Sequence, residues 1–301
     1  MRGTTPTADT MPPSPADRRA GAQDLAEWVG RSETVRGCVP PSVATTIHAT
    51  LARPGATCPG EGEAMPVLWH WYAFPPAVAT DALAEDGHPA PGGFLPPVPY
   101  ERRMWAGGSL AFFDDLRVGE EIEKRSTIVW IDEKTGSTGG MVFVVVEHEL
   151  RGAAGLAIRE TQSIVFLPIA PAFTPPPRRP GPTGSLVIDA ERRVSTALLF
   201  RYSAITFNAH RIHYDLVYAQ QVEHYPGLVV HGPLQANLLA AEATAWKGRR
   251  PDRFGFRGVH PVFHDDGLHL RATRADAGGL DLCAVTAAGH VGMQAKAEWE
   301  D

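Results

Sequence analysis

The segment RYSAITFNAHRIHYDLVYA, residues 201–219, places Asn208, His210, His213 and Asp215 within eight residues, with Ser203, Thr206 and Arg211 beside them. A histidine titrates near neutrality, so it can take a proton from water and hand it on. An amide such as that of Asn208 can hold the same water by hydrogen bonds. A second motif, GLVVHGPLQANLL, begins at Gly227 and sets His231-Gly232-Pro233 where a short apolar strand gives way to a long apolar helix. Pro233 suits the first helical turn, where its missing N–H costs nothing. The N–H groups of that turn can polarise a carbonyl oxygen, and Gly232 lets a ligand come close to the backbone. The chemistry these types support is proton transfer to and from water beside a polarised carbonyl.

Each residue also has a plain structural reading. A histidine alone is often a satisfied core group, and His231 reads better as a holder of its loop than as a proton carrier. Asp215 divides evenly between capping the motif and orienting a histidine. His210 lies three residues before His213 and shares a face with it if the segment is helical. A metal set built on these residues and Asp215 lacks a third ligand at a typical spacing.

The elements that must position these groups are readable from periodicity. Residues 23–39 show helical spacing at Leu25, Trp28 and Val29, with Asp24 near the N-terminal end, and predict a helix. A second helix is expected from Ser42 to Leu51, set off by Pro40 and Pro41. Residues 53–100 are crowded with Pro and Gly around LWHWYAF, residues 68–74, which reads as core packing or as a binding surface. Strands follow at Glu121–Ile131, 141–150 and 156–169, an antiparallel meander. PIAPAFTPPPRRPGPTGS, residues 168–185, reads as a linker, because its prolines block regular pairing. The second half repeats the plan, with a short strand at 186–195, helical material at 197–225, the helix after Pro233, and strands over 254–299.

The composition is that of a soluble globular protein, 301 residues with 44% apolar and 21% charged. A formal net charge of -6 argues against a nucleic-acid partner. Cys38, Cys58 and Cys283 are scattered and odd in number, which fits a reducing compartment, the cytoplasm. No apolar run approaches the length of about 18 residues that a membrane span needs. Residues 1–22 have no apolar core of a secretory signal and are expected to be a disordered tail.

FNAHRIHYD resembles the hydratase motif of the MaoC-like, or R-specific enoyl-CoA hydratase, family, and VVHGPLQANLL resembles that family's loop into its central helix. WHWYAF, GGFLPPVPYERRMWAGG and LRVGEEI in the first half are similar to the N-terminal dehydratase-like domain of a two-domain branch, which includes mesaconyl-CoA hydratases and mitochondrial β-hydroxyacyl thioester dehydratases. The resemblance implies an α+β, double hot-dog fold, two antiparallel sheets each wrapped around a long helix. It implies units at 23–167 and 186–301 joined by the linker. It implies reversible addition of water to an α,β-unsaturated acyl thioester, with a short branched or dicarboxylic enoyl-CoA such as mesaconyl-CoA preferred. No metal or redox cofactor is needed, the CoA or carrier-protein thioester being the substrate, and a homodimer is expected.

In that family the catalytic pair is an aspartate and a histidine five residues apart. The histidine falls on His213, and the aspartate position holds Asn208. An amide cannot act as a carboxylate base, so His213 carries the proton transfer while Asn208 positions water or thioester. Gly232 falls on the oxyanion-binding loop. The substrate-binding set drawn from these motifs is Arg211, His231, Asp215, Arg103 and Trp105. Arg102, Arg103 and Arg211 suit CoA phosphates or a substrate carboxylate, though a surface arginine taken singly is usually just solvated. Two rivals stay open: a β-hydroxyacyl-carrier-protein dehydratase, and a non-catalytic thioester-binding subunit suggested by the absent aspartate. A thioesterase fits less well, because Glu242, the acidic residue of the helix after Pro233, lies far along it.

Overall fold

The computed structural model describes residues 25–136 and 139–300; the expected tail and Asp24 lie outside the described residues. After a short 3₁₀ turn at Leu25–Trp28 the first half contains β1 (Ser32–Gly37), α1 (Pro41–Leu51), β2 (Arg102–Phe112), β3 (Ile122–Gly136), β4 (Gly139–Gly152) and β5 (Gly155–Leu167). The second contains β6 (Leu186–Arg192), α2 (Thr196–Ile205), α3 (Leu216–Gln221), α4 (Gly232–Lys247), β7 (Arg253–Gly258), β8 (Leu268–Arg274), β9 (Leu280–Thr286) and β10 (Val291–Glu298).

The two antiparallel halves join edge to edge. Their strand order is β1-β3-β4-β5-β2-β7-β10-β9-β8-β6, one ten-stranded sheet. The seam is β2 against β7, with Gly107 opposite Arg257 and Leu110 opposite Phe254. One apolar core crosses it: Leu110 and Phe112 of β2 belong to the same cluster as Leu199 of α2, Leu234 and Leu239 of α4, and Phe254 and Phe256 of β7. α4 is buried nearly all round, from Leu234 to Ala243, a mostly apolar stretch that also buries Gln235, Asn237 and Glu242. It ends at Gly248, whose φ of 80° and N–H bond to Thr244 make a left-handed cap.

Three elements differ from the sequence reading. The helix expected over residues 23–39 is a 3₁₀ turn followed by β1, which pairs with β3 from Ser32↔Thr127 to Gly37↔Ile122. Gly30, at φ +88°, breaks the helical run, and the unpaired edge of β3 takes the segment as a strand. β2 was hidden behind a Pro-rich approach and carries Gly107 and Gly108, which count against a strand on propensity. The stretch before His231 forms only a single bridge, Val229 to Phe263. Residues 168–185, the expected linker, contain no helix or strand.

The glycines explain the seam. A Cβ on Gly107 would sit 2.5 Å from the Phe256 carbonyl oxygen, and one on Gly108 would sit 2.8 Å from that of Thr161. Both obstacles are sheet backbone, which cannot step aside. Gly107→Val is therefore expected to lower unfolding free energy by about 2 kcal/mol or more, read by urea denaturation. A change within about 0.5 kcal/mol would contradict this account of the seam.

Candidate active site

α2 begins on Ser195, whose Oγ accepts the N–H of Leu198 at 3.2 Å. Two residues past its end at Ile205, Phe207, a non-glycine residue at φ +50°, turns the chain sharply. Asn208 follows, and its Oδ1 accepts the N–H of His210 at 3.0 Å. That bond leaves the Asn208 NH₂ without a hydrogen bond among the described residues. A 3₁₀ turn, Arg211–His213, comes next, and Asp215 caps α3 by accepting the N–H of Tyr218 at 3.0 Å.

The segment before α4 lies across this turn. Val229 N–H donates to Ile212 O at 3.0 Å, and His213 Nδ1–H donates to Val229 O at 2.8 Å. Because Nδ1 carries the proton, Nε2 of His213 keeps its lone pair. His231 stacks on His213 with ring centroids 3.6 Å apart, and Ser203 Oγ lies 2.9 Å from His231 Nε2. His210 meets His213 edge-on at 5.2 Å. Burial, then the neighbouring rings of His231 and His210, push the His213 pKa well below its ordinary value. Burial and His210 take His231 down to about 3. Both are neutral at physiological pH, so His213 presents a base and not an acid.

A loop of the first half roofs the motif. Gly87, at φ +93°, lies so tightly on the Ala209 carbonyl that no side chain fits. Asp86 O accepts the N–H of Arg211 at 2.9 Å, and the His88 ring rests 4.2 Å from that of His210. Burial drives His88 down to about 4, and its Nδ1–H donates to Asp86 Oδ2 at 2.7 Å. Burial would raise the Asp86 carboxyl, but the hydrogen bonds and charge interaction with His88, together with His210, bring it down to about 2. On the other side, His210 Nε2 lies 3.4 Å from Glu223 Oε1. Arg102 Nε donates to Glu223 Oε2 at 2.8 Å, tying β2 to the motif.

The structure thus gathers His213, His210, His231, Asn208 and Gly232. Trp105 joins them through its backbone: its carbonyl oxygen is 3.9 Å from where a Gly232 Cβ would stand. Arg103 is half-buried near Asp86 and His88; burial lowers its pKa and Asp86 partly offsets that. It makes no ion pair among the described residues. Arg211 and Asp215 instead pair with each other at 2.8 Å on the outer side, and Arg102 is committed to Glu223. Glu242 is bound to Arg53 at 3.0 Å. Asp86, His88 and Glu223 carried no sequence signal, since they lie in a Pro/Gly-rich loop and beyond the motif. Asp86, His88 and His210 offer ligand atoms within 4.8 Å of one another, the one such group among the described residues, but both Asp86 oxygens are already taken by His88.

Comparison with known proteins adds to this geometry. The family model described as hydroxyacyl-thioester dehydratase type 2 matches residues 68–264. The chain is 40% identical over 279 residues to mesaconyl-C(4)-CoA hydratase of Chloroflexus aurantiacus, covering 91% of this chain and 98% of that one. A MaoC-like dehydratase from Phytophthora capsici superposes with a TM-score of 0.68 at 12% identity, over 93% of this chain and 100% of that one. A Mycobacterium tuberculosis protein with a double hotdog fold superposes with a TM-score of 0.60 at 14% identity, over 93% and 98%. The architecture is therefore a double hot dog.

Four histidines are held neutral: the half-buried His88 and the buried His148 at about 4, His231 at about 3, and His213 well below 6.5. Below pH about 6.5 the unfolded chain binds a proton at each while the folded chain does not, so stability must fall as pH falls. Urea unfolding at pH 7.5 and pH 5 is expected to show that loss, approaching four protons in slope; equal stability at both would contradict it.

Proposed function

The chain belongs to the hydroxyacyl-thioester dehydratase type 2 family, and from that premise we propose that it reversibly hydrates a short branched or dicarboxylic enoyl-CoA such as mesaconyl-CoA. It is a hydro-lyase. The observation that carries the mechanism is the state of His213: neutral, its Nδ1–H fixed on Val229 O, its Nε2 free as a base.

The thioester oxygen lies at the N-terminus of α4. The first intrahelical bond there runs from Gln235 N to His231 O, and Pro233 has no N–H. The amides of Gly232 and Leu234 precede that bond and serve as donors to developing enolate charge. Asn208 donates its free NH₂ to the attacking water. His213 Nε2 takes a proton from that water as its oxygen bonds to the β-carbon and the double-bond electrons move onto the thioester oxygen. The same Nε2–H then protonates the α-carbon, so one water is added in all. Dehydration is this path reversed. His231, stacked beside His213 and bonded to Ser203, holds the imidazole plane.

Gly232 supports the reading on its own. A Cβ there would meet Met293 Cε at 3.8 Å and Trp105 O at 3.9 Å, ordinary contacts. Packing does not require glycine there, and its bare backbone lets a ligand approach the helix amides. Gly232→Ala is expected to leave the fold as stable or about 1 kcal/mol more so, while kcat/KM for hydration falls at least about tenfold. Full activity in that variant would remove Gly232 from the site. His213→Ala is expected to lower hydration about a hundredfold or more, followed by loss of conjugated thioester absorbance and gain of one water in mass. If the wild type binds enoyl-CoA but adds no water, the non-catalytic reading replaces this one.

A further inference from the structure

The first half carries a polar row where a core face should be apolar. Ser126, His148 and Glu160 lie side by side across β3, β4 and β5, each less than a tenth exposed. Glu160 is fully served: His70 Nε2 lies 3.0 Å from Oε2, and Trp71 Nε1 and Gln162 Nε2 donate to Oε1 at 2.9 and 2.8 Å. Burial would raise its carboxyl, but His70, His148 and Gln162 together outweigh this and bring it to about 2. A buried charge needs such a set of partners to exist at all, and an apolar row would hold the same sheet at less cost.

Beside this row lies a cavity of about 120 Å³ walled by Trp71, Phe74 and Trp105. Two donors line it. His148 Nδ1 is engaged by Ser126 Oγ at 2.8 Å, and its buried Nε2 forms no well-aligned hydrogen bond, with Gln162 beside it. With the serine hydroxyl donating to Nδ1, Nε2 carries the proton and donates. Lys124 lines the same cavity; it rests its Nζ 4.4 Å from the Phe74 ring and has no ion pair or hydrogen bond among the described residues.

We propose that this cavity binds the free carboxylate of a short dicarboxylic acyl thioester between Lys124 Nζ and His148 Nε2. The inference rests on the acyl-thioester site proposed above and names the feature that selects its acyl group. Trp105 links the two places, its ring walling the cavity and its carbonyl abutting Gly232. A carboxylate satisfies both donors at once, whereas an apolar chain end offers them no acceptor. Glu160 lines the same cavity, so a carboxylate held there depends on Lys124 to offset that neighbouring charge.

Succinyl-CoA and butyryl-CoA test this, because they match in chain length, differ in the terminal carboxylate, and carry no double bond to hydrate. Calorimetry on the wild-type protein is expected to give succinyl-CoA an affinity at least about tenfold higher. Lys124→Met removes that preference through weaker succinyl-CoA binding, and Lys124→Arg restores most of it. No preference in the wild type overturns the proposal, as does a preference that survives in Lys124→Met or is lost only in Arg103→Met. Equal weakening of both ligands in Lys124→Met overturns it too, since that marks a merely structural lysine. A protein that prefers succinyl-CoA through Lys124 yet hydrates no enoyl-CoA supports the subsite and refutes the reaction.

Discussion

The pairing of β2 with β7 is the constraint on which the rest of the molecule depends. It turns two five-stranded halves into one sheet and lets a single core pass from one to the other. It also carries Arg102, Arg103 and Trp105, at the head of β2, to the entrance of α4. From there Arg102 reaches Glu223, and Trp105 reaches the backbone of Gly232. Two adjacent glycines make the approach possible by removing the side chains that would hold the strands apart. A feature that weakens a strand on propensity is thus the one that lets the sheet continue.

Burial does the chemical tuning. His213 has no carboxylate beside it to raise its basicity, and the family aspartate position is an amide. Its neighbours are two further imidazoles and the Val229 carbonyl, and the surroundings are dry, so the proton cost falls on the charged form. The result is a neutral ring with a fixed tautomer. The anionic groups sit one layer out, with Asp86 behind His88 and Glu223 between His210 and Arg102. They hold the roof and floor of the motif without taking its proton. The same logic recurs in the first half, where Glu160 is anchored by three donors and Lys124 and His148 line the cavity beside it.

Much of the site was legible. The five-residue spacing of Asn208 and His213, and the His-Gly-Pro entry to an apolar helix, are local patterns, and the structure brings those residues to one place. The β meander of residues 122–167 was legible because alternation and β-branched residues both pointed to strands. β1 was not, because three apolar residues at helical spacing suffice to suggest a helix, while the open edge of β3 that claims the segment is distant in sequence. The roof at Asp86-Gly87-His88 was invisible for the same reason, its role being defined by contact with Ala209 and His210, more than a hundred residues away.

The sequence by itself determined the residue types proposed for the chemistry, the helix that follows His231-Gly232-Pro233, and the strand content of both halves, since all of these follow from spacing along the chain. Only the tertiary structure decided which histidine nitrogen is free, which arginines are already spent on Glu223 and Asp215, and that a cavity lined by two donors lies beside Trp105. Those are facts about who meets whom across the β2–β7 seam and across the strands of the first half. Burial and hydrogen-bond completion are set there by packing between distant segments, which no local pattern encodes.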